Sequence, residues 1–298
     1  MDSAEAERAP YQAFDPLSRA GRRASGRSRR LPPSRAYPAR SLGAIKNVVR
    51  TSLSIVLPAL NEEAGIEAVM KRIPQTILRG RGLSWSVNLL DGHSTDRTRA
   101  VASGLGAEVF IQSGRGKGAA FREFIPSIRE DVTVLLDSDG TYPPEAIPEL
   151  LEALGGDRPV VLGSRLLGSI DAGAMSNANY LGNRLLSLFA TIVFRTHISD
   201  LCSGMWPFES DRLKSLDLSA NGFDLEADIF AECALRRIPI AEIPIRYERR
   251  IGRPKLRFSA GFKIAFRLLV KRLRARDRLA LEDAVSPAPW TGPAEGTN

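Results

Sequence analysis

The sequence has few cysteines, few histidines and no long apolar run, and each scarcity excludes a class of protein. Two cysteines in 298 residues, Cys202 and Cys233, cannot build a disulfide framework and lack the spacing of a metal site. They read as reduced core thiols of a cytosolic protein. His93 has no companion histidine with which to hold a metal and reads as a loop residue. No window reaches the ~18 uncharged apolar residues of a membrane span. The nearest, Leu185 to Phe194, is flanked by Arg184 and Arg195 and is expected to be a buried helix. The start of the chain lacks the apolar stretch of a secretory signal.

What is present is unevenly charged. The net charge is +8, yet residues 1–50 hold eleven Arg and Lys against four acids, and residues 246–276 hold twelve against one. The remainder is net acidic. A nucleic-acid binder carries its basic stripe across the folded surface. Positive charge at two ends suits an anionic membrane surface or an anionic substrate instead. Residues 1–50, rich in Ser, Arg, Pro, Ala and Gly, bury too little to offset ordering entropy and are expected to be disordered, as are residues 283–298. Residues 51–258 then form one domain, and 259–282 a basic helix.

Within 51–258 apolar strand patterns alternate with helical ones. Strands are expected at Leu53–Leu57, Ser86–Leu90, Glu108–Gln112, Val132–Leu136, Val160–Gly163 and Ile240–Ile245. Helices are expected at Glu62–Ile73, Thr95–Gly104, Gly118–Ile128 and Pro144–Leu154. Such alternation predicts an α/β fold with a mainly parallel, doubly wound sheet flanked by helices. Ligands of such sheets sit outside the carboxyl ends of the strands.

The polar motifs fall at those ends. Val134-Leu135-Leu136 runs into Asp137-Ser138-Asp139-Gly140, two carboxylates that a strand cannot bury unpaired. Hard cations, Mg²⁺ or Mn²⁺, take oxygen ligands and share them with substrate phosphates, so Asp137 and Asp139 read as a metal–diphosphate grip. Asp91 follows an apolar strand and is placed to accept hydrogen bonds from a base or ribose. Gly114-Arg115-Gly116-Lys117-Gly118 precedes a helix, lacks P-loop spacing, and offers backbone amides and Lys117 to a phosphate.

Together the strings VLPALNEE, LLDGHSTDRT, GRGKGAA, LLDSDGTYPPE, VVLGSR, SDLCSGMWPF, GFDLEADI and IPIRYERRIGRPKL resemble the family 2 glycosyltransferases of GT-A fold. Among those they look most like the polyprenyl-phosphate hexosyltransferases, the dolichyl-phosphate mannose or glucose synthases. The resemblance spans roughly residues 52–272. It implies that Pro58, Leu60, Glu62 and Asp91 border the nucleotide, that Asp137 and Asp139 hold metal and diphosphate, and that Glu226 is a further metal-facing residue. The family often carries an aromatic residue where Leu60 stands, which leaves the donor open between UDP-glucose and GDP-mannose.

For the acceptor, Gly163-Ser164-Arg165 ends a strand at the same face, and Arg246, Arg249, Arg250, Arg253 and Lys255 crowd one loop. A guanidinium binds phosphate through a planar fork. Arg165, Arg249, Arg253 and Lys255 are the candidates for a lipid phosphate. In Gly261–Arg276 a helical pattern puts Phe262, Phe266, Leu269 and Leu273 on one face. That face either enters an anionic leaflet or packs on the domain. The expectation is a metal-dependent, inverting transfer of hexose from a nucleotide-diphosphate sugar to a polyprenyl phosphate. The enzyme would be peripheral on the cytoplasmic face of a membrane. The alternatives are a small soluble acceptor such as a phosphoglycerate, a nucleotidyltransferase, and a non-catalytic anion-binding module.

Overall fold

The computed structural model describes residues 50–252 and 260–285, with side chains as far as residue 275. The disorder expected of the two chain ends lies outside the described residues, as do Arg253 and Lys255. In chain order the elements are β1 (Ser52–Ala59), α1 (Glu63–Arg72), α2 (Gln75–Gly80), β2 (Ser84–Asp91), α3 (Thr98–Gly104), β3 (Glu108–Ile111) and α4 (Lys117–Phe124). There follow β4 (Val132–Leu136), α5 (Ile147–Ala153), β5 (Val160–Ile170), α6 (Asn177–Phe194), β6 (Met205–Glu209), α7 (Ser210–Lys214), α8 (Leu225–Leu235), β7 (Ile240–Tyr247) and α9 (Ala260–Val285).

One seven-stranded sheet has the order β3-β2-β1-β4-β6-β5-β7. Strands β1, β2, β3 and β4 pair in parallel, as do β5 and β7. Between them β6 runs antiparallel to both neighbours. Sequence reasoning missed β6: Met205-Trp206-Pro207-Phe208 is short and carries a proline, which normally argues against an interior strand. Alternation along the strands sorts the core into two layers. Leu53, Ile55 and Leu57 of β1, with Val134 and Leu136, pack on Ile66, Val69 and Ile147 of one helical layer. Val56, Leu135, Trp206 and Phe208 face the other, meeting Phe121, Phe194 and Phe230. Each such side chain, fully buried, contributes about 1.5–3 kcal/mol against the entropy of ordering.

Two expectations change. The strand at Val160 does not stop at Gly163; it continues to Ile170, with its register against β7 shifted between Ser164 and Ser169. And α6 is not a buried helix. Ser187, Ala190 and Phe194 face inward, while Leu181, Leu185, Leu188 and Ile192 are each more than half exposed. The helical period leaves one apolar stripe on the core and a second one outside.

Candidate active site

The carboxyl ends of β1, β2 and β4 lie side by side, and the loops leaving them are tied together. Ser138 donates its hydroxyl to the Pro58 carbonyl at 2.7 Å. A Cβ at Gly65 would stand 2.5 Å from the Ser138 carbonyl, so α1 rests directly on the Asp137–Asp139 turn. Asn61, held at φ 50°, accepts the Thr95 amide at 2.7 Å through its side chain. Its own amide donates to Ser94 at 2.9 Å, joining the loop after β1 to the loop after β2. Leu60 beside it is 42% exposed, open enough to meet a ligand face.

Asp91, the last residue of β2, is fully buried. Its carboxylate accepts the amides of His93 and Ser94 at about 3.1 Å, and Arg99 lies 3.8 Å away. These bonds fix the turn that carries it, and a carboxylate keeps further lone pairs with which to accept from a base or ribose. A tight turn has amides to satisfy, and the nearest carboxylate takes them. Asp91 shapes the loop from within.

At the end of β4 four carboxylates and two cations alternate. The Lys117 ammonium bridges Asp137, at 2.5 Å, and Glu226 of α8. Arg250 bridges Asp139, at 2.5 Å, and Glu62, at 3.3 Å. Lys117, Asp139, Glu62 and Glu226 have side chains at most a tenth exposed, whereas Asp137 is 29% exposed, which makes it the opening of the cluster. Burial works against the Lys117 charge, yet Asp137 and Glu226 outweigh it and hold its pKa above the ordinary lysine value. Burial pushes the Glu226 carboxyl up, with Lys117 opposing and Asp137 adding to the rise.

A strap from β7 crosses this cluster. The Glu248 amide donates to the Thr141 carbonyl and the Ile251 amide to that of Asp139, each at 2.9 Å. The Ile251 side chain covers Gly140, whose φ of 77° and lack of Cβ let the strap approach. The strap thus delivers Arg250 to the carboxylates. Arg249 instead is exposed and donates to the Ala172 carbonyl at 2.6 Å, outside the cluster. Sequence spacing alone could not say which of two adjacent arginines turns inward.

Arg165 is buried behind the cluster. Its backbone amide and guanidinium hold Asp200 through three bonds of 2.6–2.9 Å. The guanidinium lies 5.9 Å from the Tyr142 ring and 5.1 Å from that of Tyr247. Tyr142 in turn accepts the Gly204 amide at 2.6 Å, and Gly204 abuts the Asp137 carboxylate. Asp200 and Gly204 belong to a polar turn legible in the sequence, whereas the roles of Tyr142 and Tyr247 were not, although each stands in a quoted string. The signal was the string, with no rule to say which member touches which.

Among the described residues no group of three or more His, Cys, Asp or Glu is set to close around a metal. Asp137 and Glu226 share one cation and so lie close together. Oxygen donors of that kind, few and partly open, fit a hard ion that takes its remaining ligands from substrate phosphates and water.

The family model described as glycosyl transferase family 2 matches residues 54–216. A low-salt glycan biosynthesis hexosyltransferase, Agl6, of Haloferax volcanii is 33% identical over 72% of this chain and 52% of its own length. This chain therefore spans about half of that relative. A dolichyl-phosphate hexose transferase of the same organism is 32% identical over 74% of this chain and 92% of its own. In structure the chain is similar, with a TM-score of 0.58 and 25% identity, to a glucosyl-3-phosphoglycerate synthase of Mycobacterium tuberculosis solved with Mn²⁺, UDP-glucose and phosphoglyceric acid. The superposition covers 76% of this chain and 79% of that one. With carboxylates at the strand ends, a mainly parallel sheet and a family match over more than half its length, the chain belongs to glycosyl transferase family 2.

Proposed function

We propose that this protein transfers a hexose from a nucleotide-diphosphate sugar to a polyprenyl phosphate, with inversion at the anomeric carbon. The observation that carries the donor half is the cluster Asp137, Asp139, Glu226 and Lys117 at the ends of β4, α8 and α4. Asp137, Glu226 and Asp139 would hold Mg²⁺ or Mn²⁺, which when bound stabilises negative charge on the departing diphosphate. Lys117 and the amino-terminal amides of α4 receive the phosphates. Pro58, Leu60, Glu62 and Asp91 border the nucleotide, UDP or GDP, and Asp91 also holds the loop after β2.

An acceptor phosphate is already an anion near neutral pH, so no strong general base is needed. Arg250, together with Arg165, Arg249, Arg253 and Lys255, would align its oxygen behind the anomeric carbon for a single in-line displacement. The lipid half is supported by two helices. On α9, Ile264 and Leu268 pack inward, while Phe262 and Phe266 are 78% and 68% exposed. The inward side also carries Arg267 and Lys271, which pair with Asp224, Asp228 and Glu232. The outward stripe includes Leu269 and Leu273, and α9 packs against α6, which carries an outward apolar stripe of its own. Lys263, Arg184 and Arg274 are exposed on these helices, and no acid occurs in Asn177–Phe194 or in residues 260–275. Apolar surface ringed by cations suits an anionic bilayer at the cytoplasmic face.

The test is a donor panel of labelled UDP-glucose and GDP-mannose against dolichyl phosphate, undecaprenyl phosphate and 3-phosphoglycerate. A labelled lipid product supports the reading. Label only on phosphoglycerate moves the assignment to a soluble acceptor, and loss of pyrophosphate from a nucleotide moves it to nucleotidyl transfer.

A further inference from the structure

We propose that Lys117 is the resident counter-ion of the donor site: its ammonium fills the gap between Asp137 and Glu226 until a nucleoside diphosphate draws it away, so that divalent metal loads with the diphosphate and not alone. This rests on the donor reading above and concerns the order in which its parts assemble.

Three observations carry it. First, one Nζ touches both carboxylates at once, and the side chain is 10% exposed. A dication needs those same oxygens, and two positive centres a few ångströms apart in a poorly screened pocket repel strongly. The ammonium and the metal therefore exclude each other from this position.

Second, the lysine has a defined place to go. Its backbone is fixed: Cβ atoms at Gly116 and Gly118 would stand 2.2 and 2.5 Å from the carbonyls of Asn221 and Ala220, and the Ala119 amide donates to Asn221 at 3.0 Å. Only the side chain is free to swing. Lys117 is the first residue of the eight-residue α4, and its own position at the positive end of the helix dipole favours an anion there. A diphosphate arriving there provides the anion that receives the ammonium. It also brings the oxygens that complete a metal shell which, among the described residues, the protein does not close by itself.

Third, the other two acids are matched in the same way, since Arg250 spans Asp139 and Glu62. All four carboxylates thus have a cation already. A metal arriving alone gains little by replacing one, whereas a metal–diphosphate complex replaces the cation and gives it a new partner.

The experiment is Mn²⁺ binding to the full chain, read by the EPR signal of the free ion, with Mn²⁺ alone and with UDP or GDP added. In the unaltered protein a diphosphate should tighten Mn²⁺ at least tenfold, and by linkage Mn²⁺ should tighten the diphosphate equally. Lys117→Met, which keeps the length of the chain and removes the charge, should bind Mn²⁺ alone at least tenfold tighter and gain little more from the nucleotide. Unchanged or weaker binding of Mn²⁺ alone by a Lys117→Met protein with native circular dichroism overturns the proposal. Equal Mn²⁺ affinity of the unaltered protein with and without either diphosphate also overturns it, whatever the variant does. Calorimetry of UDP and GDP in the presence of Mn²⁺ separates the two layers. Nucleotide binding without Mn²⁺ synergy removes the counter-ion role and leaves the donor reading standing; no binding of either nucleotide removes both.

Discussion

Gly204 has no room for a side chain. A Cβ there would lie 2.1 Å from one Asp137 oxygen, while the Gly204 amide is held by Tyr142 and its carbonyl accepts the Asp137 amide at 3.1 Å. Gly204→Ala should therefore push the Asp137 carboxylate out of line, lowering turnover at least tenfold and stability by about 1–3 kcal/mol. Steady-state rates and thermal melts check this, and full activity would show that Asp137 is not needed in its observed place. The two thiols differ in access: Cys233 is buried and Cys202 partly exposed. Burial pushes Cys233 up to about 12, and likewise Cys202. Cys233 should not react with iodoacetamide at pH 8 until the protein unfolds, and Cys202 should react slowly, which mass spectrometry of alkylated native protein tests. Which residues carry charge at a strand end was legible from type and position. Which of them pair was not, because Lys117 and Glu226 lie 109 positions apart and meet only when α4 and α8 pack.

Helix α9 is attached through Ile264 and Leu268 in the core and through its charges. Lys271 pairs with the fully buried Asp228 and, at 2.9 Å, with Glu232, while Arg267 pairs with Asp224 at the start of α8. Removing one partner of a buried pair leaves the other charge poorly compensated. Asp228 keeps the amides of Ser219 and Ala220. The expected cost of Lys271→Ala is thus about 2–3 kcal/mol, a fall in melting temperature of roughly 5–10 °C. At the opposite end of the sheet Asp131 joins the starts of β1 and β4. Its carboxylate accepts the amides of Thr51 and Ser52, at 2.8 and 3.0 Å, and both hydroxyls. The Thr51 amide is the chief cause holding its pKa below the usual carboxylate range. A depressed folded pKa gives stability that is present above the unfolded value, about 3.9, and lost as pH falls through the folded one. Asp131→Ala should lower the melting temperature by about 2–4 °C at pH 7, and the gap should close as pH falls through the folded pKa of Asp131. A gap that persists in acid would mean that the carboxylate charge is not what ties the strands. The periodicities predicted most of these elements, though β6 was hidden by its proline and brevity. In α9 the sequence left two faces open, and the apolar stripe is outside, because Asp224, Asp228 and Glu232 draw Arg267 and Lys271 in.

For the molecule in its setting, the exposed stripes of α6 and α9 make a prediction that the sequence left ambiguous. Aspartates at Phe262 and Phe266 had two possible effects, release from lipid or unfolding. At 78% and 68% exposure these rings contribute little to the core, so the double change Phe262→Asp/Phe266→Asp should leave circular dichroism and melting nearly unaltered. It should release the protein from anionic vesicles in a sedimentation assay, as should Leu185→Asp/Leu188→Asp on α6. Binding should weaken with salt, because each basic residue near the surface adds roughly 1 kcal/mol that counter-ions screen. Retained sedimentation by folded variants of both helices would refute the membrane face. By itself the sequence determined the order of strands and helices, the strand-end carboxylates and the family, since these depend on local periodicity and on residue types at short spacing. Tertiary structure alone decided that β6 enters between β4 and β5, that Arg250 and not Arg249 turns inward, that Asp91 serves its own loop, and that Lys117 sits between two acids. Each of these is settled by burial and by satisfying charge and hydrogen bonds across long separations, which no local pattern encodes.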